Sequence, residues 1–404
     1  MKTRIIRENV EDAARILRAG GLVAVPSETV YGLAGNGLDE RAVAAIYEVK
    51  GRPAVKPLSL MVPDSGALDR CCLDVPAQAR ALARRFWPGP LTLVLRARAE
   101  IPAIVLAGGK TVGLRCPDHP LTLALLRELG FPLAAPSANP SGKPSPKTAE
   151  QVLACFDGLI EGVIDGGPCG LGRESTLIDM SAAPYRILRE GALPGETVAQ
   201  ALADELKIVG ITGGTGCGKT TALQELRALG ALVIDCDELY HELLRSDAEL
   251  LAALEAAFPG TVRRGVLDRG ALAAIAFGDP AKLELLNVTT HRFVTRAVDA
   301  RLRDWAMAGG RIAAIDAVEL ISAGLSSRCV ATVGILAGRE QRICRVMARD
   351  GLGREAAERR VQAQRPDSYY RDNCTHILWN NTDRERFAAQ SRQLFKEILK
   401  EWTT

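Results

Sequence analysis

Short apolar runs alternate with amphipathic stretches along the whole chain. Residues 21–26 and 91–95 are apolar runs that read as buried strands, while 41–49 and 76–86 carry apolar positions at helical spacing. Glycine and proline gather at 108–109, 136–146 and 166–168, so long loops separate these elements. The pattern predicts a mixed α/β domain built on a twisted mixed sheet. It changes near 191–206, where Pro194 and Gly195 form a turn and 196–206 read as a short helix. We place a boundary there, within about five residues, with a first domain over 1–200 and a second over 207–404. In the second domain, apolar strands at 207–211, 231–235, 311–316 and 329–335 alternate with helical stretches. That order predicts a parallel sheet with crossover helices. The stretch 338–365 reads as helical and rich in arginine, with Arg339, Arg342, Arg345 and Arg349 at helical spacing. The chain shows no internal repeat, no low-complexity tract and no Gly/Ser linker.

Composition changes little in this picture. A chain of 404 residues holds two or three domains at about 100–200 residues each. With 47% hydrophobic and 25% charged residues it reads as an ordinary globular protein. A net charge of +3 does not argue for nucleic-acid binding over the whole surface. The ten cysteines form no C-x-x-C pair, and Cys71 and Cys72 are adjacent. Met1-Lys2-Thr3-Arg4 leads into only a short apolar stretch, so no secretory signal is expected. No run approaches the roughly 18 apolar residues of a membrane span. A reduced, cytoplasmic setting is the expectation.

The sharpest local signal is Gly213-Gly214-Thr215-Gly216-Cys217-Gly218-Lys219-Thr220, which matches G-x-x-x-x-G-K-[ST] at every specified position. An apolar strand precedes it, and a helix is expected over 221–229, beginning with Thr221. Glycines let such a loop fold into a cradle of N–H donors at the positive end of the following helix. Lys219 would reach the β- and γ-phosphates, and Thr220 would place its hydroxyl on Mg²⁺. The bland reading is a tight strand-to-helix turn that happens to hold Lys and Thr. Asp235 and Asp237 follow at a strand end. One of them could take a proton from a substrate hydroxyl attacking a γ-phosphate. The equally weighted alternative is a helix N-cap. The arginines of 338–365 suit a helical lid closing over phosphates, against the alternative of a solvated face.

The loop, the Ile234-Asp235-Cys236-Asp237 strand end, Leu267-Asp268-Arg269, Ala276-Phe277, Leu286-Asn287, His291, Ala363-Gln364 and Asn380 together resemble the dephospho-coenzyme A kinases, over about 207–402. The resemblance implies a P-loop kinase fold with a helical lid and ATP-dependent phosphorylation of the ribose 3′-hydroxyl of dephospho-coenzyme A. It makes Asp237 the base, Lys219 the phosphate group and Thr220 the metal group, with Asp316 a second metal candidate. The chain departs from the family's D-x-P-L-L segment, reading Asp316-Ala317-Val318-Glu319-Leu320. That departure bears on the acceptor pocket.

The first half has no such loop. Small hydroxyls and basic groups lie instead on several segments: Ser27-Glu28-Thr29-Val30-Tyr31, Lys50-Gly51-Arg52, Lys56, Thr111 to Arg115, Ser137-Ala138-Asn139, Ser141-Gly142, Ser145, Glu174-Ser175-Thr176 and Arg189. Spread over loops, these suit a polyphosphate. Each cluster alone is more often a turn or a solvated pair. In this order they resemble the threonylcarbamoyl-AMP synthases, the YrdC-like family, over about 5–200. The resemblance implies that L-threonine, bicarbonate and ATP become threonylcarbamoyl-adenylate and pyrophosphate, the adenylate serving modification of adenosine 37 in tRNA by downstream enzymes. Lys50, Arg52, Lys56 and Arg115 would supply the charge on the triphosphate, with Lys50 and Arg52 taken as catalytic. Ser137, Asn139, Ser145, Ser175 and Arg189 match nucleotide positions, and Thr29 with Tyr31 the threonine side. Thr111 is taken to line the substrate side of the same nucleotide site. Where some longer members have a His, this chain has Met61 or a neighbour. Aromatic residues make up only 4% of the chain, so a stable direct tRNA complex is not expected. Two readings stand beside this one: a silent regulatory half, the kinase half being the candidate, or a first half that binds RNA.

Overall fold

The computed structural model describes residues 2–7, 10–276 and 278–401. Met1 and Phe277, both used above, lie outside them. The chain divides into two compact units, Met1–Glu205 with Met307–Gly309, and Leu206–Ala306 with Gly310–Thr404.

The first unit is built on ten strands: β1 (Arg4–Ile6), β2 (Val23–Val25), β3 (Gly32–Asn36), β4 (Ser59–Met61), β5 (Leu91–Arg96), β6 (Thr111–Arg115), β7 (Leu133–Ala134), β8 (Gly162–Ile164), β9 (Thr176–Asp179) and β10 (Arg186–Arg189). They form one mixed sheet in the order β1-β8-β2-β3-β7-β4-β6-β5-β9-β10. The β1–β8, β2–β8, β4–β6 and β5–β9 pairs are parallel and the rest antiparallel. The predicted strands at 21–26 and 91–95 are β2 and β5. The first five residues of β5 are buried, which is why that segment, Thr92 apart, reads as an apolar run. The predicted helices are Glu40–Lys50 and Ala77–Phe86. Asp39 starts the first by accepting from Arg41 N, and Gly51 ends it in the left-handed region at φ 56°. Helices Val10–Arg18 and Pro120–Leu129 bury Leu17, Leu125 and Leu126 against Val23, Val25 and Leu133. Each such side chain is worth about 1.5–3 kcal/mol.

The second unit has a parallel five-stranded sheet. Its strands are β11 (Lys207–Thr212), β12 (Leu232–Asp235), β15 (Ile312–Asp316), β16 (Ala331–Leu336) and β17 (His376–Trp379), in the order β12-β15-β11-β16-β17. A short hairpin, β13 (Val262–Arg263) and β14 (Val266–Leu267), stands apart. All four predicted strands are present. β17, which was not predicted, is the short run His-Ile-Leu-Trp, with its four residues half-buried or exposed at the sheet edge. The helix after the loop begins at Lys219, straight out of the glycines. The arginine-rich stretch is two helices, Arg339–Asp350 and Arg354–Gln362, because Gly351 turns left-handed at φ 65°. Phe387, Phe395, Leu226, Val333 and Ile335 fill the core beside the sheet. A second cluster around Leu250, Leu254, Phe258, Leu272 and Phe293 joins the helices at 248–257, 269–276 and 280–307. Among the described residues no helix is long and apolar enough to cross a membrane.

Phe387 is fully buried. Phe387→Ala is expected to destabilise the second unit by about 3–5 kcal/mol, read as a lowered urea midpoint of that unit's transition.

Candidate nucleotide sites

In the first unit, strand ends and loops converge on a cleft. β6 delivers Arg115, and the parallel β4–β6 register sets Met61 opposite it. Arg52 follows the 40–50 helix, and Arg189 ends β10. All three arginines line the cleft together with Tyr31, Ser137 and Ser175. Each is fixed by a backbone carbonyl. Arg52 donates from Nη2 to Pro57 O (2.9 Å) and from Nε to Lys56 O (3.2 Å). Arg115 donates from Nε to Gly89 O (3.2 Å). Arg189 donates from Nη2 to Ser175 O (2.9 Å) and Oγ (3.2 Å). Burial lowers the pKa of Arg189, and Arg115 and Arg52 add to that, against Glu174. Three guanidiniums thus bear on one space, offset in part by Glu28 on Arg115 and by Glu174 in the lining, and the excess of positive charge is a setting for a polyanion.

Of the other expected residues, Tyr31, Ser137 and Ser175 line the cleft, and Thr29, Asn139 and Ser145 are not among its lining residues. Ser145 Oγ donates to Glu174 Oε1 (2.7 Å), and Ser175 Oγ pairs with Thr92 Oγ1 (2.7 Å). Tyr31 donates to Gly167 O (2.8 Å), and burial pushes its hydroxyl up to about 12. Asn139 Nδ2 donates to Lys143 O (2.6 Å) and Pro140 O (3.0 Å), while its buried Oδ1 has no partner. Thr29 is buried behind the wall, its hydroxyl 2.9 Å from Ser27 Oγ.

Three basic or polar positions depart from the expectation. Lys50 is buried and its ammonium donates to the carbonyls of Ser137 and Asn139, so it holds the Ser137–Asn139 turn from behind instead of facing the cleft. Burial, reinforced by Arg52, lowers its pKa to about 8. Lys56 points to solvent, and only its carbonyl takes part, as an acceptor from Arg52 and Tyr47. Thr111 starts β6 and Arg115 ends it, so about 13 Å of strand separates them and they cannot serve one point. Sequence reasoning gave Glu28 no role. Its Oε1 accepts from Arg115 Nη2 at 2.7 Å, part-buried, and its Oε2 from Asp118 N at 3.0 Å nearer the surface. An acid amid basic clusters was the available signal.

In the second unit, the glycine loop lies against β16 and the 339–350 helix. Gly213 (φ 146°) passes so close to Ile335 O that any Cβ would collide. A Cβ on Gly214 would strike the Arg342 guanidinium, and one on Gly218 (φ 95°) the Asn380 amide. Arg342 Nε donates to Thr215 O (3.0 Å), Arg345 Nη1 to Gly216 O (3.2 Å) and Arg349 Nη2 to Thr215 Oγ1 (3.2 Å). Asn380 Nδ2 donates to Cys217 O (2.8 Å), and Thr215 N donates to Gln364 Oε1 (3.3 Å). The arginine helix therefore clamps the loop itself, while Arg339 faces solvent. Lys219 Nζ sits 3.4 Å from Gly213 O and 3.5 Å from Asp316 Oδ1. Thr220 is exposed in the first helical turn and Thr221 half-buried. Burial raises Asp316 to about 6, with Lys219 opposing and Asp235 and Asp237 adding.

The two aspartates at the end of β12 divide their roles. Asp235 Oδ1 accepts from Asp237 N (2.9 Å) and Glu238 N (3.1 Å), capping helix Cys236–Ser246. Asp237 is exposed in the first turn, its carboxylate outside that cap. Among the described residues no group of three or more His, Cys, Asp or Glu is arranged to hold a metal alone.

Comparison with known proteins separates the units in the same way. Residues 15–191 match the Sua5, YciO and YrdC family model, described as "Telomere recombination", and residues 207–385 match the "Dephospho-CoA kinase" model. A threonylcarbamoyl-AMP synthase of Pyrococcus abyssi is 46% identical over 204 residues, which are 49% of this chain and 60% of that protein. This chain thus spans less than two thirds of that relative's length. A Mycobacterium tuberculosis protein named for the same activity is 36% identical over 193 residues, 48% of this chain and 88% of its own length. A dephospho-CoA kinase of Moorella thermoacetica is 35% identical over 194 residues, 47% of this chain and 92% of that protein.

Two substitutions test the local geometry. Asp235→Ala is expected to cost about 1 kcal/mol of second-unit stability by removing the cap, with Asp235→Asn close to neutral in chemical denaturation. Gly191 lies so near the Glu174 and Ser175 backbone that a Cβ would collide with it. Gly191→Ala is expected to displace Arg189 and weaken binding of ATP to the first unit, read by calorimetric titration.

Proposed function

The first unit belongs to the threonylcarbamoyl-AMP synthase family and the second to the dephospho-CoA kinase family, and we propose that this one chain carries both activities on two independent ATP sites. In the first unit the amine of L-threonine takes up bicarbonate as a carbamate, with loss of water. The carbamate oxygen then attacks the α-phosphorus of ATP and pyrophosphate leaves. The carrying observation is the convergence of Arg52, Arg115 and Arg189. Charge gathers on the departing pyrophosphate, and fixed guanidiniums in a half-enclosed cleft stabilise it there without reorganising. Tyr31, which lines the cleft, is the residue that would face threonine, with Thr29 buried next to Ser27 behind it. The adenylate passes to downstream tRNA-modifying enzymes, with no stable tRNA complex on this chain.

In the second unit the glycine loop and Lys219 hold the phosphates of ATP. Asp237 accepts the proton of the 3′-hydroxyl of dephospho-coenzyme A as that oxygen attacks the γ-phosphorus, and ADP leaves. Asp316 Oδ1 is buried without a hydrogen bond, and with the exposed Thr220 hydroxyl it offers hard oxygen donors that fit Mg²⁺ shared with the nucleotide. When bound, such an ion neutralises phosphate charge. The Val318 and Glu319 departure leaves Asp316 in register with Asp235, which favours an active kinase over a silent one. The ten unpaired cysteines suit a reducing, cytoplasmic setting.

Lys219→Ala is expected to abolish 3′-phosphorylation of dephospho-coenzyme A and leave threonine-dependent pyrophosphate release intact. Arg52→Ala should do the reverse. Both are read on the intact chain by the two assays in parallel, and loss of both activities from either change would mean one composite site.

A further inference from the structure

The helix Cys236–Ser246 carries more than the proposed base. Asp237, Tyr240 and His241 stand at i, i+3 and i+4 and so share one face. The helix Arg269–Ala276 opens opposite that face. Arg269 Nη2 lies 3.3 Å from His241 Nδ1 and 3.4 Å from His241 Nε2. The same guanidinium is near enough to Tyr240 to pull its hydroxyl pKa down against the effect of burial. This meeting is held from below, because Tyr240, Leu243 and Leu244 pack on the cluster that contains Leu267 and Leu272.

Arg269 is exposed and, among the described residues, no carboxylate comes within ion-pair distance of it. Its chain neighbour Asp268 is engaged as a helix cap, accepting from Ala271 N at 2.9 Å. Neighbouring arginines of this unit are matched: Arg296 with Asp247 and Glu249, Arg301 with Glu242, Arg328 with Asp299. A planar guanidinium set against an imidazole and left without a counter-charge is built for an oxyanion that can take two donors at once.

We propose, resting on the kinase reading above, that Arg269 and His241 form the subsite for the diphosphate of the acceptor. The ribose 3′-hydroxyl then falls at Asp237. One helical turn separates Asp237 from His241, about 5–6 Å between Cβ atoms. The 3′-oxygen and the 5′-phosphate of a nucleotide stand apart by the width of one ribose, a separation of the same order. An acceptor gripped at its 5′-phosphate and directed at its 3′-hydroxyl presents that hydroxyl, and not the 2′, to the base. Binding energy from the diphosphate, remote from the reacting atoms, thereby supports orientation at the reacting centre. The site accepts nucleotides esterified at the 5′-phosphate and discriminates against nucleosides.

The test uses the full chain with Arg269→Ala, Arg269→Lys and His241→Gln. At saturating ATP, Arg269→Ala should raise the KM for dephospho-coenzyme A by about tenfold or more, the scale of a lost charged hydrogen bond. KM for ATP and the pyrophosphate release of the first unit should stay unchanged, and Arg269→Lys should recover part of the loss. With adenosine as acceptor, wild type and Arg269→Ala should be equal. Equilibrium binding of dephospho-coenzyme A in the presence of a non-hydrolysable ATP analogue, measured on the same proteins, separates the two ways to fail. Binding that Arg269→Ala abolishes, without turnover in wild type, overturns the kinase reading and keeps the subsite. Equal binding by wild type and Arg269→Ala overturns the subsite whatever the turnover.

Discussion

Loop carbonyls that have no ladder partner must be satisfied, and in both units a cationic side chain does it. Lys50 holds the carbonyls of Ser137 and Asn139, Arg52 those of Lys56 and Pro57, Arg115 that of Gly89, and Arg189 that of Ser175. In the second unit Arg342 and Arg345 take the carbonyls of Thr215 and Gly216. The arrangement solves two problems at once. A buried carbonyl without a donor costs free energy, and so does a buried cation without acceptors. Pairing them fixes the loop and keeps a full positive charge just behind the surface that a ligand would meet.

The units use this device at different range. In the first, the charges come from segments scattered between Lys50 and Arg189, so the cleft exists only once the ten-stranded sheet has brought its strand ends together. Glu28 shows the consequence: it touches Arg115, 87 residues away in the chain. In the second, the cradle is one contiguous stretch, and the long-range contribution is steric. Glycines at 213, 214 and 218 let Ile335, Arg342 and Asn380 approach the loop more closely than any Cβ would allow. Arg342 is buried with Nη2 unpaired, its guanidinium pressed against the Gly214 backbone.

This difference in range explains what was legible beforehand. The glycine loop, its strand and its helix are local, and local pattern located all three. The apolar runs located β11, β15 and β16, which are almost wholly buried, and also the edge strand β12, while β17, with only three apolar residues after His376, was not predicted. In the first unit the type of each basic residue was readable but its direction was not. Lys50 and Lys56 look equivalent in a list of charges, yet one is buried on carbonyls and the other points to water. Asp235 and Asp237 looked equivalent for a related reason. Both suit a cap and both suit a base, and only the helix start, one residue after Asp235, assigns the cap. Glycine 351 divided what charge spacing presented as one helix.

Register carries the last step. β12, β15 and β11 run parallel, and their pairing sets Asp235 beside Asp316 and Asp316 beside Ile211, one residue short of the loop strand's end. The carboxylate near Lys219 is therefore fixed by ladders that end at Asp316. Val318 and Glu319 come after the ladder. There, Thr212 Oγ1 donates to Val318 O at 3.2 Å, and Glu319 faces Arg365 at 3.6 Å. Substitutions at those two positions can reshape the space beyond the strand without moving the group beside Lys219. In the proposed kinase their effect would fall on the acceptor side, because the ladder that fixes Asp316 beside Lys219 ends before them.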